Sequence, residues 1–388
     1  MKRRLAAGID IGSHHIKMCV VEEVETKEGT VVRVVGTGIS ENIGMKHGYI
    51  VDRSDVTERI KEAKRQIEQA LQTPINSCFL AIGGISLDEA RATGEAIISR
   101  ADQLVTDLDI DAVLESATQN ANPLFLNKQV LHSIPLQYRL DGEVVLSDPR
   151  GMKGTTLSCD YLFITSLSSH YVSTVEAVEH AGMRVIDCMA SPLASSYVSL
   201  SRDQKKKGCV LANIGAETAS IVVYDEGTPV SVKVFPVGSS HITDDLALAF
   251  RISLEDAERI KLGRLAGAMY SKKKVDDVIA GRLKTMFEYI DKHLKHIGRK
   301  GALPAGIIFT GGGASTSMIL DVAKTSLQLP AKLGEVSFGA DMKVKDSTWA
   351  VSYGLALWGL TGDIDTKRGS AGSGFLRALG EFFKQFIP

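Results

Sequence analysis

Residues 8–21 read GIDIGSHHIKMCVV, and residues 211–224 read LANIGAETASIVVY. Each stretch has an apolar strand, a tight glycine turn and a second apolar strand. Aligning the two stretches brings three pairs into register: Asp10 with Asn213, Ile11 with Ile214, and Gly12 with Gly215. This shared order predicts that the chain contains one structural unit twice.

The sequence that follows each stretch extends the repeat. A third strand is predicted in each copy, TVVRVVGTGIS at 30–40 and TPVSVKVFPVG at 228–238. Residues 54–71 then start with Ser-Asp and carry apolar residues at helical spacing, and ITDDLALAF at 242–250 begins the matching helix. Two β-β-β-α units predict an α/β fold with two similar lobes that face each other across a cleft.

The remaining segments complete the predicted organisation. The 388 residues exceed the roughly 250–300 at which a single core stops growing. GIIFTGGGASTSM at 306–318 predicts a buried strand, a glycine turn and a helix. The predicted parts are a first core subdomain (1–82 with 161–204 and 347–360), a small α+β insert (83–160), a second core subdomain (205–241 with 301–346), a small helical subdomain (242–300), a linker (361–374) and a C-terminal helix (375–388).

Composition excludes several classes of protein. The net charge of −1 gives no overall basic field, so no nucleic-acid partner is expected. The five cysteines are odd in number and form no CxxC pair, which argues against a disulfide framework or a zinc site and fits a reducing cytoplasm. No apolar run reaches the ~20 residues that a membrane-spanning helix needs.

Three glycine turns are candidates for phosphate binding, because a residue without Cβ lets backbone N–H groups approach phosphate closely. They are Asp10-Ile11-Gly12-Ser13, Asn213-Ile214-Gly215-Ala216 and Gly311-Gly312-Gly313. We expect Asp10 to hold Mg²⁺ through water molecules. Lys17 is expected to meet phosphate oxygens as a point charge, although a solvated strand residue is the alternative.

The order DIGS…K, a second IG turn, VGSSHIT, ERIK and TGGG resembles the actin, Hsp70 and sugar-kinase superfamily. The resemblance implies that ATP and Mg²⁺ are held between the lobes, with Asp10 and Asn213 as the candidate catalytic residues. It assigns to nucleotide binding Gly12, Ser13, Lys17, Gly215, Gly238, Glu258, Lys261, Gly311, Gly312 and Gly313. For Glu258 and Lys261, the alternative is an ordinary surface ion pair.

Three further stretches are similar to the FtsA family of bacterial cell-division proteins: 44–63, 132–154 and 181–200. This resemblance implies an actin-like core with a family-specific insert and self-assembly into short filaments. It also implies binding of the tail of the tubulin-like protein FtsZ, contact with other division proteins of the membrane, and a peripheral location on the cytoplasmic face of the inner membrane at the division site. The alternatives are a PilM-like pilus-assembly platform and a small-molecule kinase of the same superfamily.

Residues 375–388, FLRALGEFFKQFIP, predict an amphipathic helix behind a glycine- and serine-rich tether. Docking on the protein's own core is the alternative, but four of the fourteen residues are phenylalanine, which favours an interfacial membrane anchor. The candidate lipid-binding residues are Phe375, Leu376, Leu379, Phe382, Phe383 and Phe386.

Two further expectations concern charge. Basic residues crowd one part of the helical subdomain and are candidates for binding the FtsZ tail, the alternative being a solvated basic face: Arg282, Lys284, Lys292, Lys295, Arg299 and Lys300. The superfamily usually has aspartate where this chain has Asn213, and Glu217 is a candidate partial substitute. The alternative is that Asp10 alone suffices and that Asn213 changes nothing. We therefore expect ATP binding with weak or absent hydrolysis.

Overall fold

The structure is a computed structural model that describes residues 4–26, 29–264, 270–336 and 346–361. Its first core sheet has the order β3-β2-β1-β6-β11, in which β1 is antiparallel to β2 and parallel to β6. A small hairpin follows β3. The strands are β1 Arg4–Ile11, β2 His15–Thr26, β3 Gly29–Glu41, β6 Ser77–Ile82 and β11 Arg184–Ala190, and the hairpin is β4 Met45–Lys46 with β5 Tyr49–Ile50.

The second core sheet repeats this topology, with the order β14-β13-β12-β15-β16 and the same strand directions. Its first three strands correspond to β1–β3, so the predicted duplication of a β-β-β unit is confirmed. The strands are β12 Cys209–Ile214, β13 Ala219–Asp225, β14 Thr228–Phe235, β15 Ile307–Thr310 and β16 Ala331–Leu333.

The insert is a third sheet, with the order β7-β10-β8-β9, covered by helix α2 (Asp107–Ala121). Its last strand pairs with β8 as far as Leu167, beyond the predicted end of the insert at residue 160. The inserted strands are β7 Asp88–Ile97, β8 Lys128–Leu140, β9 Glu143–Val145 and β10 Thr156–Leu167.

Helices cover the core sheets and join the lobes. Helix α1 starts where the Asp52 side chain accepts a hydrogen bond from the Asp55 N–H, and its apolar face packs on the first sheet. The other helices are α3 Ser168–His180, α4 Ser191–Ser199, α5 Arg202–Lys207, α6 Ser240–Phe250, α7 Leu254–Lys261, α8 Lys272–His296, α9 Ile319–Leu327 and α10 Ala350–Thr361, with α1 at Arg53–Leu71.

Helix α4 of the first lobe contacts the second core sheet and also packs on helix α10. A Cβ on Gly354 of α10 would lie 2.0 Å from the Ala194 carbonyl oxygen of α4, so the two helices pack with backbones in contact. The Ser196 hydroxyl of α4 then lies 2.7 Å from the Tyr224 hydroxyl of the second lobe, and both groups are buried. Helix α4 therefore packs on α10 on one side and is hydrogen-bonded to the second lobe on the other.

Among the helices that the structure describes, none is both long and apolar enough to cross a bilayer. The predicted linker beyond Thr361 and the predicted helix at 375–388 lie outside the described residues.

Candidate functional site

The first candidate turn connects β1 to β2. The Gly12 N–H donates a hydrogen bond to the His15 carbonyl at 3.1 Å, and a Cβ on Gly12 would stand 2.9 Å from that oxygen. The buried Asn42 side chain stabilises the turn, because its Nδ2 donates a hydrogen bond to the Gly12 carbonyl at 2.8 Å. The turn is therefore tight and braced.

The second turn, between β12 and β13, is built in the same way. The Gly215 N–H donates to the Thr218 carbonyl at 2.8 Å, and the Ser239 N–H donates to the Gly215 carbonyl at 2.9 Å. Gly238 packs directly on this turn, since a Cβ there would lie 2.3 Å from the Ala216 carbonyl oxygen. A larger residue in place of the candidate Gly238 would therefore displace the Gly215 turn.

Asp10 and Asn213 hold equivalent positions just before the two turns. Asp10 is partly buried and lies opposite Lys17 in the β1–β2 ladder. Burial raises the pKa of the Asp10 carboxyl, and the charge of Lys17 partly offsets that rise. A divalent cation would favour the ionised carboxylate, so a partly buried acid at a strand end suits Mg²⁺. Asn213 presents an amide instead and lies beside Thr310 of β15.

The third turn lies against the second. Gly311 has a φ of +84°, and a Cβ there would stand 2.2 Å from Oδ1 of Asn213. A Cβ on Gly313 would stand 2.4 Å from Cγ2 of Ile214, whereas a Cβ on Gly312 would meet nothing within 4 Å. Gly311 and Gly313 therefore allow close packing of the two turns, and Gly312 faces open space.

Glu258 and Lys261 form an ion pair that is part of a network, with Lys261 buried and Glu258 half-exposed. Lys261 Nζ lies 2.6 Å from a Glu258 carboxylate oxygen and 2.9 Å from the Thr243 hydroxyl, and its side chain is only 7% exposed. Burial opposes ionisation of Glu258, but hydrogen bonds from Lys261 and Thr243 leave its pKa below the ordinary value. Lys261 also donates to the Ser239 carbonyl, which connects this network to the second turn.

A contact across the cleft had no signal in the sequence. The backbone N–H of His47, in the β4–β5 hairpin, donates to the Glu217 carboxylate of the second turn at 2.5 Å. The His47 ring stacks on the His241 ring, with centroids 6.4 Å apart. The carboxylate of Glu217, the candidate substitute for the missing aspartate, therefore accepts a hydrogen bond from the opposite lobe.

Several basic residues in and just after α8 are paired with acidic side chains, which the sequence of this segment did not indicate. Arg282 makes two hydrogen bonds of 2.7 Å to Asp245, and Lys295 lies 2.7 Å from Asp291. Lys284 and Lys292 are exposed on the same helix. Just after α8, Lys300 also pairs with Asp291, and Arg299 pairs with Asp225. Acidic neighbours thus offset much of the local charge.

Comparison with protein families gives two matches. The model described as cell division protein FtsA matches residues 210–354, and the model described as SHS2 domain inserted in FTSA matches residues 90–165. The second match coincides with the inserted sheet. Together the two matches cover more than half of the chain, including the insert and the second and third glycine turns.

Curated relatives agree over nearly the whole length. The cell division protein FtsA of Pseudomonas aeruginosa is 28% identical over 386 residues, covering 93% of this chain and 91% of the relative. The cell division protein FtsA of Bacillus subtilis is 25% identical over 372 residues, covering 90% and 82%.

Solved structures agree in fold. A PilM-PilN type IV pilus biogenesis complex aligns with a TM-score of 0.69 at 16% identity, covering 92% of this chain and 98% of that one. MreB 5 of Spiroplasma citri, bound to AMPPNP, aligns with a TM-score of 0.51 at 14% identity, covering 92% and 96%. The described chain thus has an actin-like fold.

Proposed function

The chain belongs to the FtsA family of cell-division proteins, and from this we propose that it is an ATP-binding scaffold that assembles on the inner membrane and tethers FtsZ filaments there. Family membership supports a role in cell division with an actin-like fold.

Matching glycine turns in the two lobes, with a third turn packed on the second, carry the nucleotide proposal. Gly12 and Gly215 make matching turns on the two lobes, and Gly311 packs directly on the second. The Gly12 and Gly215 N–H groups bond within their own turns, so the N–H groups of the residues that follow each glycine are the candidates for binding phosphate oxygens. Ser13 and Lys17 add a hydroxyl and a charge on the first lobe. The open space beside Gly312 and the network of Glu258 with Lys261 suit the nucleoside on the second lobe.

Asp10 would hold Mg²⁺ at this site. The cation, when bound, neutralises charge on the phosphate oxygens. Asn213 offers an oxygen without a negative charge, and Glu217 is engaged by His47. The proposed site binds ATP but has an amide where an aspartate would orient an attacking water, and the nearby carboxylate of Glu217 already accepts a hydrogen bond from His47, so hydrolysis is expected to be slow or absent.

Membrane attachment is assigned to the segment at 375–388. A fully buried large apolar side chain contributes ~1.5–3 kcal/mol, so its six or seven apolar residues set a ceiling of ~10–20 kcal/mol. Partial burial and ordering of the helix remove much of that, which makes one copy a reversible anchor. A filament that presents many copies binds firmly through effective concentration, so assembly and membrane attachment reinforce each other.

Binding of the FtsZ tail is assigned to the helical subdomain around α8. Because Arg282 and Lys295 already pair with acids, the exposed Lys284 and Lys292 are the better candidates for attracting an acidic peptide. Contacts with other division proteins of the membrane and with further copies of this chain belong to the same proposal, through family membership.

The most informative test is pelleting of the full chain with anionic liposomes, with and without ATP and Mg²⁺, with filaments scored by electron microscopy. We expect lipid binding that increases with ATP, together with filaments on the vesicles. A protein that neither pellets with lipid nor assembles under any nucleotide condition would contradict the scaffold. A labelled phosphate transferred from ATP to a small molecule would instead support a kinase.

The PilM-like platform is the second candidate. The TM-score of 0.69 supports a shared fold and no more, since the identity is 16%. The family match favours the division role. The amphipathic segment at 375–388 also favours it, because a pilus platform is not expected to have such a segment.

A further inference from the structure

The β4–β5 hairpin ends in a tight turn at residues 46–49, called here the His47 turn. His47 and Gly48 have φ values of +50° and +84°, the left-handed pair that a two-residue hairpin with right-handed twist requires. The turn belongs to the first lobe, between β3 and α1, and it contacts both the second lobe and the start of the insert.

On one side, the His47 turn holds the second phosphate turn. The His47 N–H donates to the Glu217 carboxylate, and the His47 ring stacks on the ring of His241 at the start of α6. His241 in turn accepts a hydrogen bond from the Gly238 N–H at Nδ1, at 3.1 Å. Both contacts therefore end on residues that frame the Gly215 turn.

On the other side, the His47 turn is packed against the strand connection that enters the insert. The Ile85 N–H donates to the His47 carbonyl at 3.3 Å, three residues before β7 begins. A Cβ on Gly48 would lie 2.2 Å from Cα of Gly84, so the two backbones are in direct contact. Since packed backbones do not compress, a shift of the turn moves the residues that lead into β7.

The insert is also fastened to the second lobe. Arg91 of β7 donates to the Val230 carbonyl at 2.7 Å, and Glu89 accepts from the Val232 N–H at 2.8 Å. The insert is thus connected to the second lobe twice, directly through β7 and indirectly through the His47 turn. A change in the angle between the lobes cannot leave both connections as they are.

We propose that the His47 turn is a mechanical relay, which transmits the position of the second phosphate turn to the insert through Glu217, His47 and the Gly48–Gly84 contact. The inference rests on the nucleotide binding proposed above and adds its structural consequence. Phosphate bound at the Gly215 turn repositions Glu217, the His47 turn follows, and the insert changes its orientation relative to the second lobe. The insert thereby presents a different surface in the ATP-bound protein.

Spin labels measure this movement in the full chain. All five native cysteines are buried, so cysteines introduced at exposed positions can be labelled selectively. Leu146→Cys in the insert and Leu248→Cys on α6 replace side chains that are 93% and 78% exposed. Double electron–electron resonance then gives the distance between them without nucleotide and at saturating ATP with Mg²⁺, with saturation set from each variant's own binding curve.

We expect the distance distribution of the labelled parent to shift on ATP binding. Glu217→Ala removes the acceptor, and His47→Ala removes the ring contact, so both should reduce the shift at least threefold. Glu217→Gln keeps an acceptor oxygen on a side chain of the same length and should retain most of it.

Three outcomes would overturn the relay. The first is a shift of full size in both alanine variants at saturating ATP. The second is a parent that binds ATP without any change in label distance, which would leave the proposed function standing. The third is a parent that binds no ATP, in which case the proposed nucleotide function fails and the relay fails with it.

Discussion

The Glu89 carboxylate of the insert accepts a hydrogen bond from the backbone N–H of Val232 in the second core sheet, at 2.8 Å. Two residues along each strand, the Arg91 guanidinium donates to the Val230 carbonyl at 2.7 Å. β14 is the edge strand of its sheet, and its edge carbonyl and amide groups would otherwise be open to another strand. Side chains of β7 thus cap an edge that would invite unwanted pairing.

This contact predicts a stability loss in Glu89→Ala. The variant removes the acceptor for both the Val232 N–H and the Ser231 hydroxyl, which lies 2.9 Å from the same carboxylate oxygen. Leaving such partly buried donors without that acceptor costs about 1–3 kcal/mol. We expect the free energy of unfolding, measured by urea denaturation, to fall by that amount. Glu95→Ala, an exposed position on the same strand, is the control and should change stability by less than ~0.5 kcal/mol. Equal effects of the two changes would argue against the cap.

A second prediction separates two neighbouring glycines. Gly311 has a left-handed backbone conformation that alanine rarely adopts, and the added Cβ would also clash with the Asn213 side chain. Gly311→Ala should therefore lower the free energy of unfolding by ~2 kcal/mol or more. Gly312→Ala meets open space and should keep its melting temperature within a few degrees, but it should weaken ATP binding because the methyl group projects into the proposed nucleotide space. Unchanged ATP affinity in Gly312→Ala would show that nucleotide binds elsewhere.

The sequence was sufficient for the parts of the fold whose signal is local. Gly12 and Gly215 were paired by a fourteen-residue repeat, and both make the same turn hydrogen bond in the structure. The helix predicted at 54–71 is present at Arg53–Leu71, since capping and apolar spacing are read within one segment.

Contacts between distant segments had no such signal. His47 meets Glu217 across 170 positions of sequence, and neither residue type predicts a bond from a backbone N–H. The same limit explains the basic cluster. Arg282 reads as a free cation in its own helix, but Asp245, which neutralises it, lies on α6. Residue spacing within one helix does not reveal what the neighbouring helix contributes.

The pairing of Arg282 changes how peptide binding should be tested. Arg282→Glu would place a carboxylate beside Asp245, so we expect a stability loss of about 1–3 kcal/mol that confounds any binding result. Lys284→Glu with Lys292→Glu alters exposed side chains and should leave stability within ~0.5 kcal/mol. In a fluorescence anisotropy titration with the FtsZ tail peptide, the double variant should bind at least several-fold more weakly at low salt. Affinity that is insensitive to both the substitutions and salt would refute the electrostatic part.

Membrane attachment through the C-terminal segment predicts a specific loss. Phe382→Glu with Phe383→Glu places two charges on the apolar face, so the variant should remain in the supernatant after liposome pelleting and still bind ATP. Gln385→Glu adds a charge to the polar face and is the matched control, with at most a small loss of binding to anionic lipid. Pelleting of the double variant at the level of the parent would exclude this segment as the anchor.

The last prediction concerns Asn213, which holds the position of Asp10 in the second half of the repeat. Its side-chain oxygen lies directly against the Gly311 turn, beside the proposed phosphate site. Aspartate has the same shape as asparagine but adds a negative charge, which can orient a water beside the phosphates. We expect Asn213→Asp to release phosphate from ATP on the order of tenfold faster than the parent, a difference of about 1.4 kcal/mol in the barrier.

Asn213→Ala is the control and should be no faster than the parent, since it adds no charge. Steady-state phosphate release, measured beside ATP affinity for each protein, separates a change in chemistry from a change in binding. Brisk turnover by the parent, or an aspartate variant that is no faster at saturating ATP, would mean that the missing charge at Asn213 does not limit hydrolysis.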